Sequence, residues 1–148
     1  MENLITEANY LLNKEDKWYT TLANASALLN LHIKNINWVG FYILDNNYLY
    51  LGPFIGKPAC TKIKVGNGVC GTCIKENKTI IVPNVHEFEG HIACDSESNS
   101  EICVPIHINN ELFGLLDIDS TIFNRFNNDD KMILEEFVKI LENKFDKE

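Results

Sequence analysis

The chain has 148 residues, of which 45% are hydrophobic and 23% charged, and its formal net charge is −8 at pH 7. This length suits one globular domain and is too short for two of ordinary size. The negative charge and the lack of a basic patch argue against a nucleic-acid or anionic-membrane partner. Because the sequence has neither a signal-peptide pattern nor the roughly 18 consecutive apolar residues of a membrane span, we expect a soluble, cytoplasmic protein.

Two helices are predicted at the N-terminus, within residues 1–34. The first covers about residues 2–13, and the second runs from Asp16, which can cap it, to about Ile33. Apolar residues of the second helix recur at three- and four-residue spacings, which indicates one packing face. That face comprises Tyr19, Leu22, Ala25, Leu29 and Ile33.

Strand-like patterns fill residues 37–120. NWVGFYIL and YLYLGPF, joined by the polar turn at 45–47, predict a hairpin, and EICVPIHI and ELFGLLDID, joined at Asn109–Asn110, predict a second one. Short strands are predicted in TKIKV and TIIVPN, with a short helix in GNGVCGTCIKEN between them. A last helix is predicted over 129–146, capped by Asn128 or Asp129. Its buried stripe comprises Leu134, Phe137, Val138, Leu141 and Phe145.

Helices at both ends of about six mostly antiparallel strands predict an α+β fold, with helices packed on a central sheet. We find no internal repeat or linker, so residues 1–148 are treated as a single domain. The connection between Asn84 and Ser100 has no helix or strand pattern. Connections of this length are uncommon in compact domains and are often functional.

Five cysteines in an unexported chain should be reduced at rest, and each is a candidate for chemistry. Cys94 lies in the 84–100 connection among polar residues, where a substrate can reach a thiol; the alternative is an inert buried thiol. Cys60 follows a Gly/Pro-rich segment. Cys70 lies at a helix start, where the helix dipole favours a thiolate. Cys103, on an apolar strand, is expected in the core.

Cys70 and Cys73 form a C-x-x-C pair, which is typical of a zinc half-site or of a thioredoxin-like redox pair. A zinc ribbon needs a second such pair, which this sequence lacks, so we expect no metal. The redox pair leads to a competing hypothesis, a general thiol–disulfide oxidoreductase. That hypothesis predicts that Cys94→Ser keeps activity.

Acidic residues form a second candidate set. Alternation places Asp117 and Asp119 on one side of their strand, and the hairpin register allows Glu101 to face them. Such a cluster would bind an ammonium group, and like-charge crowding would keep one carboxyl protonated as a proton donor; the alternative is solvated strand ends. Trp38 and Tyr42 share a strand face and either wall an apolar slot or belong to the ordinary sheet core.

The runs NWVGFY, LGPFIGKPAC, VGNGVCGT, NVHEFEGHIACDSESNSEI and GLLDIDS resemble the free methionine-(R)-sulfoxide reductases, which are built on a GAF domain. The likeness extends from about Asn37 to Phe126 and implies a GAF-like, commonly dimeric fold. It implies that Cys94 is the catalytic cysteine, Cys60 the usual resolving cysteine and Cys70 the third of the set. Cys73 and Cys103 lie outside that pattern. The implied substrate-binding residues are Glu101, Asp117, Asp119, Trp38 and Tyr42.

The mechanism that the resemblance implies needs no bound cofactor. The Cys94 thiolate attacks the sulfoxide sulfur, a protonated acid assists loss of oxygen, and Cys94 is left as a sulfenic acid. Cys60 or Cys70 then forms a disulfide with it, which thioredoxin reduces with electrons from NADPH. Our alternative is a non-catalytic GAF module that senses a small molecule or redox state. The set of cysteines argues against it. Such modules usually accompany an output domain, and the sequence after Phe126 is too short for one.

Overall fold

The computed structural model describes residues 3–90 and 97–145, and in these ranges the chain forms four α-helices and six strands. The helices are α1 Leu4–Leu11, α2 Trp18–His32, α3 Gly68–Glu76 and α4 Asn128–Phe145. The strands are β1 Trp38–Asp45, β2 Tyr48–Ile55, β3 Lys62–Lys64, β4 Ile80–Val82, β5 Ser100–Ile108 and β6 Glu111–Ser120. All predicted elements are therefore present, each within a few residues of its expected bounds.

The six strands form one antiparallel sheet in the order β3-β2-β1-β6-β5-β4. The hairpin of β5 and β6 turns at Asn109 and Asn110, which have φ angles of 54° and 66°. Two consecutive positive φ values are what a type I′ hairpin turn requires, and asparagine tolerates them better than most residues. The predicted α+β fold class, with about six mostly antiparallel strands, is confirmed.

The sheet has two different faces. Helices α1, α2 and α4 cover one face, which we name the helical face, and pack there against strand residues such as Phe41, Val104 and Leu116. Helix α3 covers part of the other, the α3 face, where Tyr42, Cys103 and other alternate residues of the same strands are buried. Side chains on a strand alternate between faces, so each central strand supplies both environments.

Helix α2 begins at Trp18, and Lys17 occupies the N-cap position without a side-chain cap bond. The prediction that Asp16 caps this helix is therefore wrong. Tyr19 is 50% exposed, so it does not belong to the packing face, although the other four residues predicted there are buried.

Helix α4 begins with a reciprocal cap one residue earlier than predicted. The backbone N–H of Asp130 donates to Asn127 Oδ1 at 2.9 Å, and the N–H of Asn127 donates to Asp130 Oδ2 at 2.9 Å. Asn127 is thus the cap, and the predictions of Asn128 and Asp129 are wrong. The predicted buried stripe of α4 is confirmed, since all five of its residues are buried.

The connection between β4 and β5 includes a short 3-10 turn at Val85–Glu87, which the sequence pattern did not predict. Cys94 lies outside the described residues. Within the described ranges, none of the helices combines the length and the apolar character of a membrane span.

Candidate active site

The register of the three central strands brings the predicted acids together on the α3 face. Asp119 is paired with Trp38 of β1 on one side and with Glu101 of β5 on the other. Asp117, two residues earlier, is paired with Cys103 of β5. Glu101 thus faces the two aspartates, as the sequence analysis allowed, and it does so through a register shift between Ile106 and His107.

Two of the three acids are almost completely buried. Glu101 is 7% exposed and Asp117 is 5% exposed, whereas Asp119 is partly exposed. Burial away from water, together with the charges of Asp117 and Asp119, raises the pKa of Glu101 well above its ordinary value. Burial also raises the pKa of Asp117, against hydrogen bonds from Glu101 and the nearby thiols that lower it. The cluster therefore holds protons more tightly than exposed carboxyls do.

Two thiols lie directly against these acids. Cys70, in the first turn of α3, places its Sγ 3.6 Å from Cys103 Sγ and 3.8 Å from Glu101 Oε2. Cys103 Sγ lies 3.6 Å from Glu101 Oε2 and 3.4 Å from Asp117 Oδ1. All four residues are buried. The α3 face thus holds a buried cluster of two thiols and two carboxyls.

The electrostatics of this cluster disfavour thiolates. The contact with Cys103 acts to lower the pKa of Cys70, but burial and the charges of Asp117 and Asp119 outweigh it and raise the pKa to about 12. Burial likewise raises the pKa of Cys103 well above its ordinary value. The helix start at Cys70 was expected to favour a thiolate. Its acidic, buried surroundings reverse that expectation.

The C-x-x-C pair is not an accessible redox site. Cys73 is fully buried in the apolar core of the α3 face, and burial raises its pKa. The thiol that Cys70 contacts is Cys103, which lies 33 residues away. Redox-active pairs need an exposed thiol with a low pKa, so this geometry argues against Cys70 and Cys73 as a thioredoxin-like pair.

The predicted aromatic residues lie beside the acids. Trp38 and Tyr42 are 3% and 2% exposed, and their ring centroids stack at 6.0 Å. The Trp38 ring also stacks on Phe54, with centroids 5.2 Å apart. Phe54 was not among the residues predicted from the sequence. Its signal is the register, because it lies opposite Gly40, where any larger side chain would collide with it.

Both aromatic residues also hold the segment that carries Cys60. Trp38 Nε1 donates to the carbonyl of Lys57 at 3.1 Å, and Tyr42 Oη donates to the carbonyl of Cys60 at 2.9 Å. Burial, followed by the charge of Asp117, raises the pKa of Tyr42 far above its usual range, so its hydroxyl stays a donor. The backbone of Cys60 is therefore held beside Trp38 and Tyr42.

The cysteines differ in oxidation state. Cys60 is disulfide-bonded, whereas Cys70, Cys73 and Cys103 are free thiols. The structure thus brings Cys70, both aromatic residues and the three acids to one face, with the Cys60 segment attached to it. Cys103 was predicted to be a core residue, which its full burial confirms, but its sulfur also belongs to the acid cluster. Its spacing of two residues from Glu101 on one strand was the signal for this.

The chain is similar to known proteins along almost its whole length. The GAF domain model matches residues 15–144. The free methionine-R-sulfoxide reductase of Escherichia coli is 49% identical over 140 residues, which cover 95% of this chain and 85% of that protein. Among solved structures, fRMsr of Staphylococcus aureus in complex with substrate is 49% identical with a TM-score of 0.93, covering 97% of this chain and 94% of that chain.

A second solved structure is that of the free methionine-R-sulfoxide reductase from Neisseria meningitidis in complex with its substrate. It is 38% identical with a TM-score of 0.93, and the match covers 97% of this chain and 87% of that chain. These similarities extend through both the helical face and the α3 face. The chain belongs to the free methionine-R-sulfoxide reductase family of GAF-domain proteins.

Proposed function

We propose that this chain reduces free methionine (R)-sulfoxide to methionine. The observation that carries this proposal is the buried acid cluster of Glu101, Asp117 and Asp119 next to the stacked aromatic wall of Trp38 and Tyr42. The E. coli relative, 49% identical, is a free methionine-R-sulfoxide reductase. The S. aureus and N. meningitidis proteins have been solved with their substrates.

The acids have the charge that a free amino acid requires. An ammonium group placed among three carboxyls would offset the repulsion that raises the pKa of Glu101. Peptide-bound methionine sulfoxide has no such group, so the cluster selects the free amino acid. Trp38 and Tyr42 would then contact the apolar part of the side chain.

In the reaction that we propose, Cys94 is the nucleophile. Its thiolate attacks the sulfoxide sulfur, a protonated carboxyl of the cluster gives a proton to the departing oxygen, and methionine leaves as Cys94 becomes a sulfenic acid. A second thiol then attacks this sulfenic acid and releases water, forming a disulfide. Cys60 is the best candidate for this resolving role because it is disulfide-bonded while the other three described cysteines are free.

Cys70 is the remaining candidate for a resolving thiol. Because Cys70 is buried and its pKa is raised to about 12, it forms a thiolate poorly at neutral pH. We therefore rank it behind Cys60 as a resolving thiol. The chain needs no bound cofactor in this scheme, and thioredoxin, supplied with electrons by NADPH, returns the disulfide to thiols.

Two further parts of the proposal concern the setting of the protein. Free thiols are typical of a reducing compartment, which supports a cytoplasmic location. Large exposed apolar side chains on α1 and α2 support a homodimer, because such side chains often mark interfaces. They are Tyr10, Leu11, Trp18, Tyr19 and Leu31. Sedimentation of the purified protein should give twice the mass of one chain.

The test of the reaction is NADPH consumption with thioredoxin and thioredoxin reductase. The substrates are free methionine (R)-sulfoxide, its (S) epimer and N-acetylmethionine sulfoxide. We expect turnover of the free (R) form alone, because only it joins the required sulfur configuration to a free ammonium group. Cys94→Ser should abolish turnover because it removes the nucleophile.

The matched control is Cys73→Ser, which should retain most activity because Cys73 has no part in the scheme. The opposite pattern, with activity kept in Cys94→Ser and lost in Cys73→Ser, would favour a general thiol–disulfide oxidoreductase. If folded, reduced protein turns over none of the sulfoxides, the reductase proposal is wrong. A GAF module that only binds a small molecule would then be the better account.

A further inference from the structure

The cluster of two thiols and two carboxyls on the α3 face contains a residue for which the proposed reaction has no use. Cys103 is fully buried, yet its sulfur lies within 3.6 Å of Cys70 Sγ, Glu101 Oε2 and Asp117 Oδ1. One potential ligand atom from each of the four residues lies within 4.8 Å of the other three. The four groups belong to α3, β5 and β6, so the folded sheet and helix bring them together.

Four of the six distances between the ligand atoms match those of a tetrahedral zinc site. With Zn–S bonds of about 2.3 Å and Zn–O bonds of about 2.1 Å, a tetrahedron has S···S edges of about 3.8 Å and S···O edges of about 3.6 Å. The Cys70–Cys103 sulfur distance is 3.6 Å, and the three thiol–carboxyl contacts are 3.8, 3.6 and 3.4 Å. These four distances fit a tetrahedral zinc site, and the other two lie within 4.8 Å.

We propose that Cys70, Glu101, Cys103 and Asp117 form a binding site for a thiophilic divalent cation, with Zn²⁺ as the best fit, and that this cation excludes the substrate. Two sulfur ligands select Zn²⁺ over Mg²⁺ and Ca²⁺, which prefer six or more oxygen ligands and, for Mg²⁺, retained water. A dication also offsets the repulsion among four buried acidic groups. Zinc binding inhibits the enzyme because Glu101 and Asp117 then no longer hold the substrate ammonium.

The exclusion of substrate rests on the proposed function, but the binding of metal does not. The two statements therefore have separate tests. This site differs from a C-x-x-C zinc ribbon. Its two sulfur ligands are Cys70 and Cys103, whereas Cys73 is buried outside the cluster.

Metal binding is tested by titrating the reduced protein with Co²⁺ under anaerobic conditions in a phosphine reductant. We expect one Co²⁺ per chain, with thiolate-to-cobalt charge-transfer absorption and the intense visible bands of tetrahedral cobalt. Zn²⁺ should displace it, and Mg²⁺ and Ca²⁺ should not. The absence of these bands would overturn the site.

Cys103→Val removes one ligand and leaves an apolar side chain of similar size in a fully buried position. We expect its metal affinity to fall at least ~100-fold. Even the loss of a residue that only hydrogen-bonds to a metal ligand lowers metal affinity about 10- to 100-fold. The matched control is Cys73→Val, the same substitution in the same core, which should bind metal like the parent chain. Equal affinity in the parent chain and Cys103→Val would overturn the proposal and place the metal at other cysteines.

A measurement on the unaltered protein keeps the proposal testable if Cys103→Val does not fold. X-ray absorption at the zinc edge should give two sulfur ligands at about 2.3 Å and two oxygen ligands at about 2.0–2.2 Å. Any other number of sulfur ligands would contradict the assigned set.

Exclusion of substrate is tested by methionine sulfoxide turnover at increasing Zn²⁺. The apparent KM should rise with Zn²⁺ and return to its initial value with EDTA, and Cys103→Val should need at least ~100-fold more Zn²⁺ for the same rise. Equal inhibition of both proteins would overturn the exclusion. A protein that gives the Co²⁺ spectrum and has no turnover would retain the metal site and refute the proposed function.

Discussion

Leu116 and Asp117 are neighbours on β6, yet they lie on opposite faces of the sheet. Leu116 is fully buried among apolar side chains of the helical face, where burial stabilises the fold. Asp117 is nearly as buried on the α3 face, where burial raises its pKa and costs stability whenever it is ionised. The helical face is therefore stabilised by apolar burial alone at this point of β6, whereas the α3 face combines an apolar core of its own with buried ionisable groups that cost stability when charged.

The largest expected effect that separates the two faces is on catalysis. Asp117→Asn keeps the shape of the side chain and removes its charge, so it should lower kcat/KM for free methionine sulfoxide by on the order of 30-fold to several thousand-fold, the range for a lost partner of a buried charge. Steady-state kinetics at pH 7 measure this loss. Unchanged kinetics in both Asp117→Asn and Glu101→Gln would remove the acid cluster from the proposed function.

A substitution of the adjacent residue, Leu116, should affect stability and leave substrate binding unchanged. Leu116→Ala should destabilise the protein by about 2–5 kcal/mol, because it opens a cavity in the core of the helical face. Urea unfolding measures the loss, and the KM at a temperature where the variant is folded should stay close to that of the parent chain. A large change in KM with little loss of stability would mean that the faces are not independent.

The comparison is sharpened by a variant that should increase stability. Because the pKa of Glu101 is raised in the folded state, its protonation favours folding. That contribution is full below the unfolded pKa of glutamate and is lost as pH rises through the folded pKa. Glu101→Gln stays neutral, so its melting temperature should exceed that of the parent chain by an amount that grows from pH 5 to pH 8, and each kcal/mol should appear as ~2–4 °C.

A constant difference in melting temperature across that pH range, or a less stable Glu101→Gln protein at pH 8, would contradict this reading. It would mean that hydrogen bonds of the Glu101 carboxylate outweigh its loss of hydration. Thermal unfolding should be measured without substrate and without added metal. The ammonium group of the substrate or a metal ion would offset the negative charge of the cluster and hide the difference in melting temperature.

The smallest effect should come from the end of a helix on the helical face. Asn127→Ala removes the side-chain cap of α4 and should cost about 1 kcal/mol of stability. Asn128→Ala, one residue later, is the control and should cost less, because it leaves the reciprocal bonds of Asn127 and Asp130 in place. Equal losses in the two variants would refute the assignment of the cap.

Local sequence patterns predicted the helices, the strands and the two hairpins. The Asn109–Asn110 turn and the alternation of side chains indicated that Glu101 could face the two aspartates. The exact pairing of Glu101 with Asp119 depends on a one-residue register shift between Ile106 and His107, which the sequence pattern did not indicate. Caps were less predictable. Several polar residues precede α2 and α4, and the choice among them depends on packing at the helix start.

The contact of Cys70 with Cys103 could not be predicted from these patterns. Spacing along the chain suggested Cys73 as the partner of Cys70, whereas the contact depends on how α3 packs against β5. The apolar neighbours Val104 and Ile106 indicated a core position for Cys103, which was correct. They also obscured the fact that Cys103 and Glu101 share a face, because a core residue and a site residue can be the same side chain.

The hydrogen bonds from Trp38 and Tyr42 to the carbonyls of Lys57 and Cys60 have a consequence for the redox cycle. They hold the backbone of this segment on β1 without involving the sulfur. In the proposed reaction, the disulfide of Cys60 therefore opens and closes while the backbone of Cys60 stays in place. In that reaction, the anchored thiol has a high effective concentration toward its partner, so disulfide formation competes with further oxidation of the sulfenic acid.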